Sequence, residues 1–462
     1  MKFFNKNKSF KISKPSIKSL ISYYEGFEKR DRQEIYERNA LIGSIKLSLL
    51  YLISNIFTFL LFFFAARRLG VEEYSLLGVL LSIFFMFAIA TSLMNIVIIK
   101  FLSYFIAKSQ YDKLSNFCNL FIRMMVLSGF ILFVIFIIFS KDIAFLLKIY
   151  RPSNVIALGI LIWTFIVWNG LLGLLNGLQY FMLQGINKVM QAFFSALFGI
   201  TLTLIGFKAG GTLLGLAIGT FISIPLAVYA LRNILMVKPY KIGKIDLLKY
   251  IAPSMIVVFC TGLLLNIDVP LVKYFMDSTQ SGYYAAISLL SSIVFSFSLV
   301  FSMVMFPKAA HLHSNGERSS HLLVSNLKYT LFSAAALVFI YLLIPNFIAN
   351  TVYGPSYKIG AYLGAYAIAM TFLSISNIFI MYDLAIEKSF LVVLMPLFSI
   401  LEITLILAFH KTIWEVISVL LVFNAILLIT LTYLNRAHLP ALTRIFSTKY
   451  IQVGSIQQRQ KR

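Results

Sequence analysis

The sequence contains twelve long apolar stretches, and these restrict the folds that are open to the chain. A helix needs about 20 apolar residues to cross the ~30 Å hydrocarbon layer of a membrane. Helices are favoured over a β-barrel because the stretches lack the alternation of apolar and polar residues that barrel strands show. The sequence therefore predicts an all-α polytopic membrane protein. The predicted spans are 41–65, 76–99, 118–139, 154–177, 190–207, 211–231, 250–272, 284–306, 329–348, 361–382, 389–409 and 412–434.

The overall composition agrees with this class. Sixty per cent of the 462 residues are apolar and only 12% are charged, whereas about 25% of the residues of a soluble domain are charged. A soluble multidomain protein is therefore excluded. The polar, lysine-rich segment 1–39 precedes the first span, which excludes a cleaved signal peptide, because such a peptide has a short charged region and a short apolar core. We expect a multi-pass protein of the inner (plasma) membrane.

The chain has a net charge of +23, and the distribution of its basic residues between the loops predicts its orientation. When the loops are assigned alternately to two sides, one side holds 29 basic residues, including those of both chain ends, and the other holds nine. Because cytoplasmic loops are enriched in Lys and Arg, we expect the basic segment 1–39 and the basic tail 436–462 to be cytoplasmic. Orientation and contact with anionic lipids account for the surplus charge, so no nucleic-acid partner is expected.

The predicted spans divide into two sets of six. The long polar connection 236–249 separates an N-terminal lobe, 40–235, from a C-terminal lobe, 250–435. A short internal match supports a duplication, since 74–85 aligns with 284–295 at a constant offset of 210. Duplicated halves are common in secondary transporters, whose substrate site lies between the halves near the middle of the membrane.

No sequence motif indicates a catalytic domain. The pattern GxxxxGK[ST] is missing, so the chain is not expected to hydrolyse ATP. Cys118 and Cys260 both lie in apolar stretches, and no two histidines have metal-ligand spacing within a span. We expect a protein that is not an enzyme and has no cofactor or metal. Energy for transport would come from a gradient, a partner or the distribution of the substrate.

Several short motifs resemble those of the polysaccharide-biosynthesis (Wzx-like) flippases, a family of the multidrug/oligosaccharidyl-lipid/polysaccharide exporter superfamily. The resemblance covers about 41–435, nearly the whole membrane part. The similar segments are Ala65 to Tyr74 (AARRLGVEEY, against a-R-x-L-G-x-x-x-Y/F-G), Asn266 to Lys273 (NIDVPLVK, the acidic seventh helix), Ser281 to Ala285 (SGYYA, the G-x-Y turn), Phe306 to Lys308 (FPK, the end of the eighth helix), and Gln184 with Gly185 in the fourth-to-fifth connection.

This resemblance implies a two-lobed, V-shaped carrier. Such a carrier moves an oligosaccharide linked to a polyprenyl diphosphate from the cytoplasmic to the outer leaflet by alternating access. The resemblance therefore implies a lipid-linked oligosaccharide as the substrate and contact with membrane lipids. It also makes a glycan polymerase or ligase a candidate partner.

Ionisable side chains inside the spans are candidates for function, because each costs about 2.5–3.5 kcal/mol at the bilayer centre. Two roles are open to Asp268, in the seventh span. It is a cavity residue at the lobe interface that binds a proton, a cation or a sugar hydroxyl, or it is a buried structural acid paired to the neighbouring lobe. Glu402, in the eleventh span, is a second candidate for coupling to an ion gradient.

Basic and amide side chains are candidates for binding the substrate, because they can offset a diphosphate or bind sugars. Lys46 either faces a cavity or extends to the lipid headgroups. Lys100 and Arg123 either bind substrate or anchor the ends of their helices. The full set of candidates is Lys46, Asn55, Arg67, Arg68, Lys100, Arg123, Asn266 and Lys273, together with Asp268.

Two other functions compete with the flippase. A cation-coupled small-molecule exporter of the same superfamily tends to carry an acid in the first helix, where this chain has Lys46 and Asn55. A membrane-embedded glycan-processing enzyme would need an acidic pair or a histidine in or beside the membrane, or a large outward loop. Glu72 and Glu73 are the only adjacent outward acids. The sequence therefore favours the flippase.

Overall fold

The fold is helical, and the residues that the structure describes contain no β-strand. Short connections join long apolar helices, as expected for a chain whose backbone must satisfy its own hydrogen bonds in lipid. The computed structural model describes residues 29–107, 111–178, 180–235, 247–314 and 316–436.

Some predictions fall on residues outside this part of the chain. They concern most of the basic segment 1–39, the connection 236–249 and the tail 436–462. The backbone at Lys46 and Lys100 is helical, but their side chains are also outside the described residues.

The first half of the chain has six helices and a short π-helical turn, Thr203–Phe207. The helices are α1 (Lys29–Ala107), α2 (Tyr111–Ile138), α3 (Ser140–Leu146), α4 (Pro152–Gly177), α5 (Phe181–Leu202) and α6 (Lys208–Leu235). Gly70 has a φ of 72° and a ψ of 169°, which are not helical angles. The long helix α1 is therefore two helices, α1a before Gly70 and α1b after it. Gly206, with a φ of 109°, marks the similar break between α5 and α6.

The second half begins with a broken helix. Its helices are α7 (Leu247–Asn266), α8 (Asp268–Phe275), α9 (Ser278–Ser314), α10 (Ser320–Leu343), α11 (Pro345–Val352), α12 (Gly360–Ala385), α13 (Leu391–Ala408) and α14 (Ile413–Leu434). The chain bends by 43° between α7 and α8. Pro270 has no N–H to donate to the carbonyl of Asn266, one turn earlier, and this missing bond accounts for the break.

The number of membrane-length segments agrees with the prediction. Among the described residues, nine helices are long and apolar enough to cross a membrane, or ten if the bent pair α7–α8 is one span. Two of the nine, 49–91 and 181–232, are 43 and 52 residues long. Each of these breaks at a glycine, Gly70 or Gly206, and so supplies two segments. The total is then twelve.

The two halves have the same order of elements. In each half a short helix follows the third long segment, α3 after α2 and α11 after α10, and three long helices follow the short one. This common order supports the duplication that the internal match predicts, and the all-α fold of two six-helix lobes is confirmed.

The fifth span differs from its prediction. The apolar pattern places it at 190–207, but α5 begins nine residues earlier. Gln184 and Gly185, which were expected in a connection, therefore lie inside the helix. The polar residues are tolerated there because neighbouring helices supply partners. Trp168, for example, donates to the amide oxygen of buried Asn187 at 2.7 Å.

Glycines bring α5 and α6 close together, because Gly211, Gly215 and Gly219 recur every four residues on one face of α6. A Cβ on Gly215 would overlap the backbone of Gly199, and one on Gly219 would lie 2.5 Å from the backbone nitrogen of Ser195. The contact is therefore backbone to backbone, with no room for a side chain.

We expect Gly215→Val to lower the apparent Tm of the detergent-purified protein by on the order of 5 °C, because overpacking a tight contact costs about 1–3 kcal/mol. Thermal unfolding followed by fluorescence would measure this change. Ala408→Val, at an exposed position of α13, is the control and should leave the Tm unchanged. An unchanged Tm in Gly215→Val would contradict the close contact.

Candidate functional site

The two halves meet where α1b packs against α9. The hydroxyl oxygens of Ser75 and Ser281 are 2.7 Å apart, and a Cβ on Gly78 would overlap that of Ala285. At the offset of 210, Ser281 is the counterpart of Val71 and Ala285 is the counterpart of Ser75. Equivalent turns of the two halves therefore face one another, as in a pseudo-two-fold contact.

Further contacts hold the halves together at the end of the bundle that carries Gly70, which we call the Gly70 end. The hydroxyl groups of Tyr74 and Tyr353 are 3.2 Å apart and buried. Arg67 donates to the backbone oxygens of Asn350, at 3.4 Å, and Thr351, at 2.5 Å, in α11 of the other half. In this structure Arg67 thus joins the two halves.

The contact continues from the Gly70 end toward the middle of the bundle. A Cβ on Gly262 in α7 would lie 3.1 Å from the carbonyl oxygen of Met86. The rings of Phe87 and Phe259 are 6.2 Å apart. Met86 is 15 residues beyond Val71, or about 22 Å along a helix that rises 1.5 Å per residue. The structure is therefore closed at the Gly70 end over about this length.

Asp268 lies inside the second half. It is 1% exposed, and its Oδ2 accepts hydrogen bonds from the hydroxyl groups of Tyr284, at 2.6 Å, and Tyr366, at 2.5 Å. The Oγ of Ser288 is 3.1 Å from the Tyr366 hydroxyl. Both partners of the carboxylate belong to its own half, on α9 and α12. Its Oδ1 has no hydrogen-bond partner among the described residues, so Asp268 is a buried acid with one free carboxylate oxygen.

Glu402 is the second buried acid in this region. Its side chain on α13 is fully buried, and neither carboxylate oxygen has a hydrogen-bond donor among the described residues. The charge of Asp268 acts on it electrostatically. A buried charge without a partner is unfavourable by several kcal/mol. Uptake of a proton by Glu402, or binding of a small cation beside it, would offset this cost, and we call the region of Asp268 and Glu402 the acidic site.

A third buried acid, Asp383, has its charge compensated. Lys388 forms an ion pair with its Oδ1 at 2.9 Å, and the amide of Asn435 donates to its Oδ2 at 2.7 Å. Lys388 also donates to the side-chain oxygen of Asn435 at 2.9 Å. This cluster joins the ends of α12 and α14. Its closed set of partners is typical of a structural site.

Two further candidates of the seventh span have local partners. Lys273 is buried and donates to the hydroxyl group of Ser278 at 3.1 Å. The carboxylate of Glu72, from the first half, acts on it electrostatically. Asn266 donates to the carbonyl oxygen of Gly262 in its own helix at 3.0 Å. Lys273 thus lies near the contact between the halves, whereas the Asn266 amide forms its hydrogen bond within its own helix.

The remaining candidates with described side chains lie elsewhere. Asn55, Arg68 and Arg123 are exposed. Asn55 lines an open depression on α1a with Leu47, Tyr51 and Leu52. None of the three makes a hydrogen bond or ion pair with Asp268 or Glu402, so they are not part of the acidic site.

The interior of the first half contains polar side chains but no buried carboxylate in the part that the structure describes. Asn95 donates to the side-chain oxygen of Asn169 at 3.0 Å, and Asn169 donates to the hydroxyl group of Thr91 at 2.9 Å. Gln184 donates to the hydroxyl oxygen of Tyr51 at 3.3 Å. Buried carboxylates are thus confined to the second half among these residues.

Sequence reasoning missed the two tyrosines that hold Asp268. One signal was present, because the internal match pairs Tyr284 with Tyr74 at the start of the second helix of each half. Both hydroxyl groups are buried and hydrogen-bonded, one to Asp268 and the other to Tyr353. No comparable signal marked Tyr366, which the fold brings from 98 residues away.

Comparison with known proteins identifies the fold. No protein-family model and no curated protein matches the sequence. A multidrug resistance MATE family transporter of the MOP superfamily, in an inward-facing conformation, has a TM-score of 0.70 at 12% identity, over 87% of this chain and 99% of its own. The lipid II flippase MurJ, in an inward closed conformation, has 0.65 at 16%, over 85% and 87%.

A MOP superfamily transporter from Pyrococcus furiosus, described as having a binding pocket of reverse polarity that suggests a different function, has a TM-score of 0.62 at 12% identity. This match covers 87% of this chain and 95% of that one. The chain therefore has the fold of the MOP-superfamily transporters, the superfamily that its short motifs resemble.

A disulfide across the contact between the halves should trap the closed state. In the double variant Ser75→Cys/Ser281→Cys, we expect oxidation to abolish complementation of a deletion strain and dithiothreitol to restore it, because the two side chains touch. The single variants are the controls, since the natural Cys118 and Cys260 are buried. Full activity of the cross-linked protein would show that this contact does not open during transport.

Replacing the buried acid should stop transport without loss of protein. We expect Asp268→Asn to lower complementation to below about a tenth of wild type, because an amide of the same size cannot take up a proton and has no negative charge to attract a cation. Immunoblots of membranes would show equal protein. Asp142→Asn, at an exposed position of α3, is the matched control. Normal complementation by Asp268→Asn would remove this residue from the transport mechanism.

Proposed function

We propose that the chain is a flippase that moves a polyprenyl-diphosphate-linked oligosaccharide from the cytoplasmic to the outer leaflet by alternating access. The fold supports a membrane transporter. A lipid II flippase is among the solved proteins that share it, which supports a lipid-linked substrate. The motifs that resemble the Wzx-like flippases favour a polysaccharide repeat unit as its headgroup.

The observation that carries the proposal is the confinement of buried carboxylates to the second half, among the described residues. The buried carboxylates of the described residues, Asp268, Asp383 and Glu402, all belong to the second half. The interior of the first half offers amides, hydroxyl groups and Lys188. A substrate with a diphosphate requires such a surface, because an anion in a low dielectric is stabilised by cations and hydrogen-bond donors.

The second candidate function is a cation-coupled multidrug exporter. Its support is the multidrug resistance transporter with the same fold. A cationic drug in the first half would need a carboxylate there, and the described interior of that half has none. The charge distribution therefore favours the flippase.

Two of the three buried acids, Asp268 and Glu402, are proposed to couple transport to an ion gradient. Asp268 and Glu402 share a region closed to water, so binding of one proton or cation would relieve their mutual repulsion. Such a site changes charge without touching the substrate. It can therefore bias the protein between two conformations, which is what coupling requires.

The orientation follows from the basic residues. With both termini cytoplasmic, in a bacterial-type inner membrane, the Gly70 end faces outward. The closed Gly70 end would then correspond to an inward-facing state, in which the substrate enters from the cytoplasmic leaflet. A glycan polymerase or ligase on the outer side is a candidate partner.

The sidedness of lipid-linked glycans tests this function. In cells without the gene, we expect the polyprenyl-linked oligosaccharide to accumulate where external glycan labelling cannot reach it, because the headgroup cannot cross the membrane unaided. Mass spectrometry of the extracted lipid would show the accumulation and identify the headgroup.

Complementation with the wild-type gene is the positive control, and Asp268→Asn, which should reach the membrane but not transport, is the negative control. Unchanged glycan lipids with unchanged sidedness would overturn the flippase. Efflux of small cationic compounds that depends on the gene would then support the exporter.

A further inference from the structure

One basic residue inside the first half contributes to the surface described above without an individual role assigned to it. Lys188 is the eighth residue of α5, about 10 Å from the start of the helix at 1.5 Å per residue. The apolar pattern predicts that it belongs to a connection and to the cytoplasmic set of basic residues. In the structure it lies within a membrane-length segment and is partly buried.

The partners of Lys188 leave its charge largely uncompensated. Its ammonium nitrogen lies 4.5 Å from the centre of the Tyr51 ring, a cation–π contact worth about 0.5–2 kcal/mol. Its backbone oxygen accepts a hydrogen bond from Ser54 at 3.3 Å. No ion pair joins Lys188 to a carboxylate in the described part of the chain. An amine inside a membrane span without a counter-charge is suited to bind an anion.

Polar groups around Lys188 also have unused hydrogen-bonding capacity. Gln184, one turn before it, is 5% exposed, and its amide oxygen accepts no hydrogen bond among the described groups. Because Gln184 donates to Tyr51, the proton of the Tyr51 hydroxyl is available to another acceptor. Tyr51 and Asn55 line the open depression of about 350 Å³ on α1a. Tyr51 thus links the two sets of groups, because its ring contacts the Lys188 ammonium and it lines the open volume together with Asn55.

The second half provides a natural comparison. Helices α5 and α13 begin at Phe181 and Leu391, which are related by the offset of 210 found in the sequence. At that offset Lys188 corresponds to Phe398 and Gln184 to Leu394. The same helix of the fold is therefore built with apolar side chains in one half. Folding of the helix does not require the polar residues of the other.

We propose that Lys188, with the Tyr51 hydroxyl group and the Asn55 amide, forms an anion subsite that holds the diphosphate of the lipid-linked substrate. The inference rests on the proposed function and deepens it, since it assigns the charged part of the substrate to the face between α1a and α5. The Lys188 ammonium supplies a point charge and the two neutral groups donate hydrogen bonds to phosphate oxygens. The amide oxygen of Gln184 accepts a hydroxyl group of the headgroup.

Binding of farnesyl diphosphate to the purified full-length protein tests the subsite. In nanodiscs of phosphatidylcholine, titration calorimetry should show that Lys188→Met weakens binding at least tenfold and that Lys188→Arg stays within about threefold of wild type. Tyr51→Phe, which removes only the hydroxyl group, should weaken binding about threefold. Lys411→Met removes an exposed lysine and is the matched control. Farnesol, which lacks the phosphates, should bind wild type and Lys188→Met equally, which also shows that the variant is folded.

Equal affinity of wild type and Lys188→Met for farnesyl diphosphate would overturn the subsite. So would loss of the difference when phosphatidylglycerol replaces phosphatidylcholine, because Lys188 would then bind the headgroup of ordinary anionic lipid. Inorganic pyrophosphate should compete with farnesyl diphosphate, and a failure to compete would place recognition in the lipid chain. The sidedness measurement is independent of these outcomes. A gene-dependent flip with no effect of Lys188 removes the subsite alone, whereas the absence of any gene-dependent flip removes the function.

Discussion

Every polar group in a helix that crosses a membrane must find its partner within the protein, and this requirement explains most of the interior. Asp383 is compensated by Lys388 and an amide, whereas Asp268 has two tyrosine hydroxyl donors on one carboxylate oxygen and none on the other. Glu402 and Lys188 stand apart, because no described group neutralises either one. Uncompensated charges in a membrane are typical of sites that bind a substrate, an ion or a proton reversibly. A charged residue without a neutralising partner therefore indicates a functional site more specifically than burial alone does.

The two charges without a neutralising partner, Glu402 and Lys188, are opposite in sign and belong to different halves. The counterpart of Glu402 in the first half, at the offset of 210, is Ala192, so the acid was gained or kept on one side only. If an acid and a lysine of this kind lay together they would form an ion pair, and neither would bind a ligand strongly. Divergence of the halves keeps the charges apart. One half can then hold an anionic substrate while the other responds to a cation.

The sequence was sufficient for the parts of the fold that depend on apolar length, and it failed where polar residues have distant partners. The first nine residues of α5 were missed because Asn187 is satisfied by Trp168 on another helix, which no local pattern shows. Asp268 was found because an acid in an apolar stretch is conspicuous, but its partners depend on how α9 and α12 are rotated. The contact of Arg67 with α11 joins residues 284 positions apart. Long-range pairing of this kind follows from packing and not from spacing.

The acidic site and the contact between the halves are joined by a single turn of α9. Ser281 touches Ser75 of the first half, and three residues later Tyr284 donates to Asp268. The next residue, Ala285, packs against Gly78. A change in the charge of Asp268 would alter the hydrogen bond of Tyr284, and the same turn carries the contacts that must separate for the Gly70 end to open. Coupling by this route needs no long pathway, because one rigid element is held by both sites and each can bias its position.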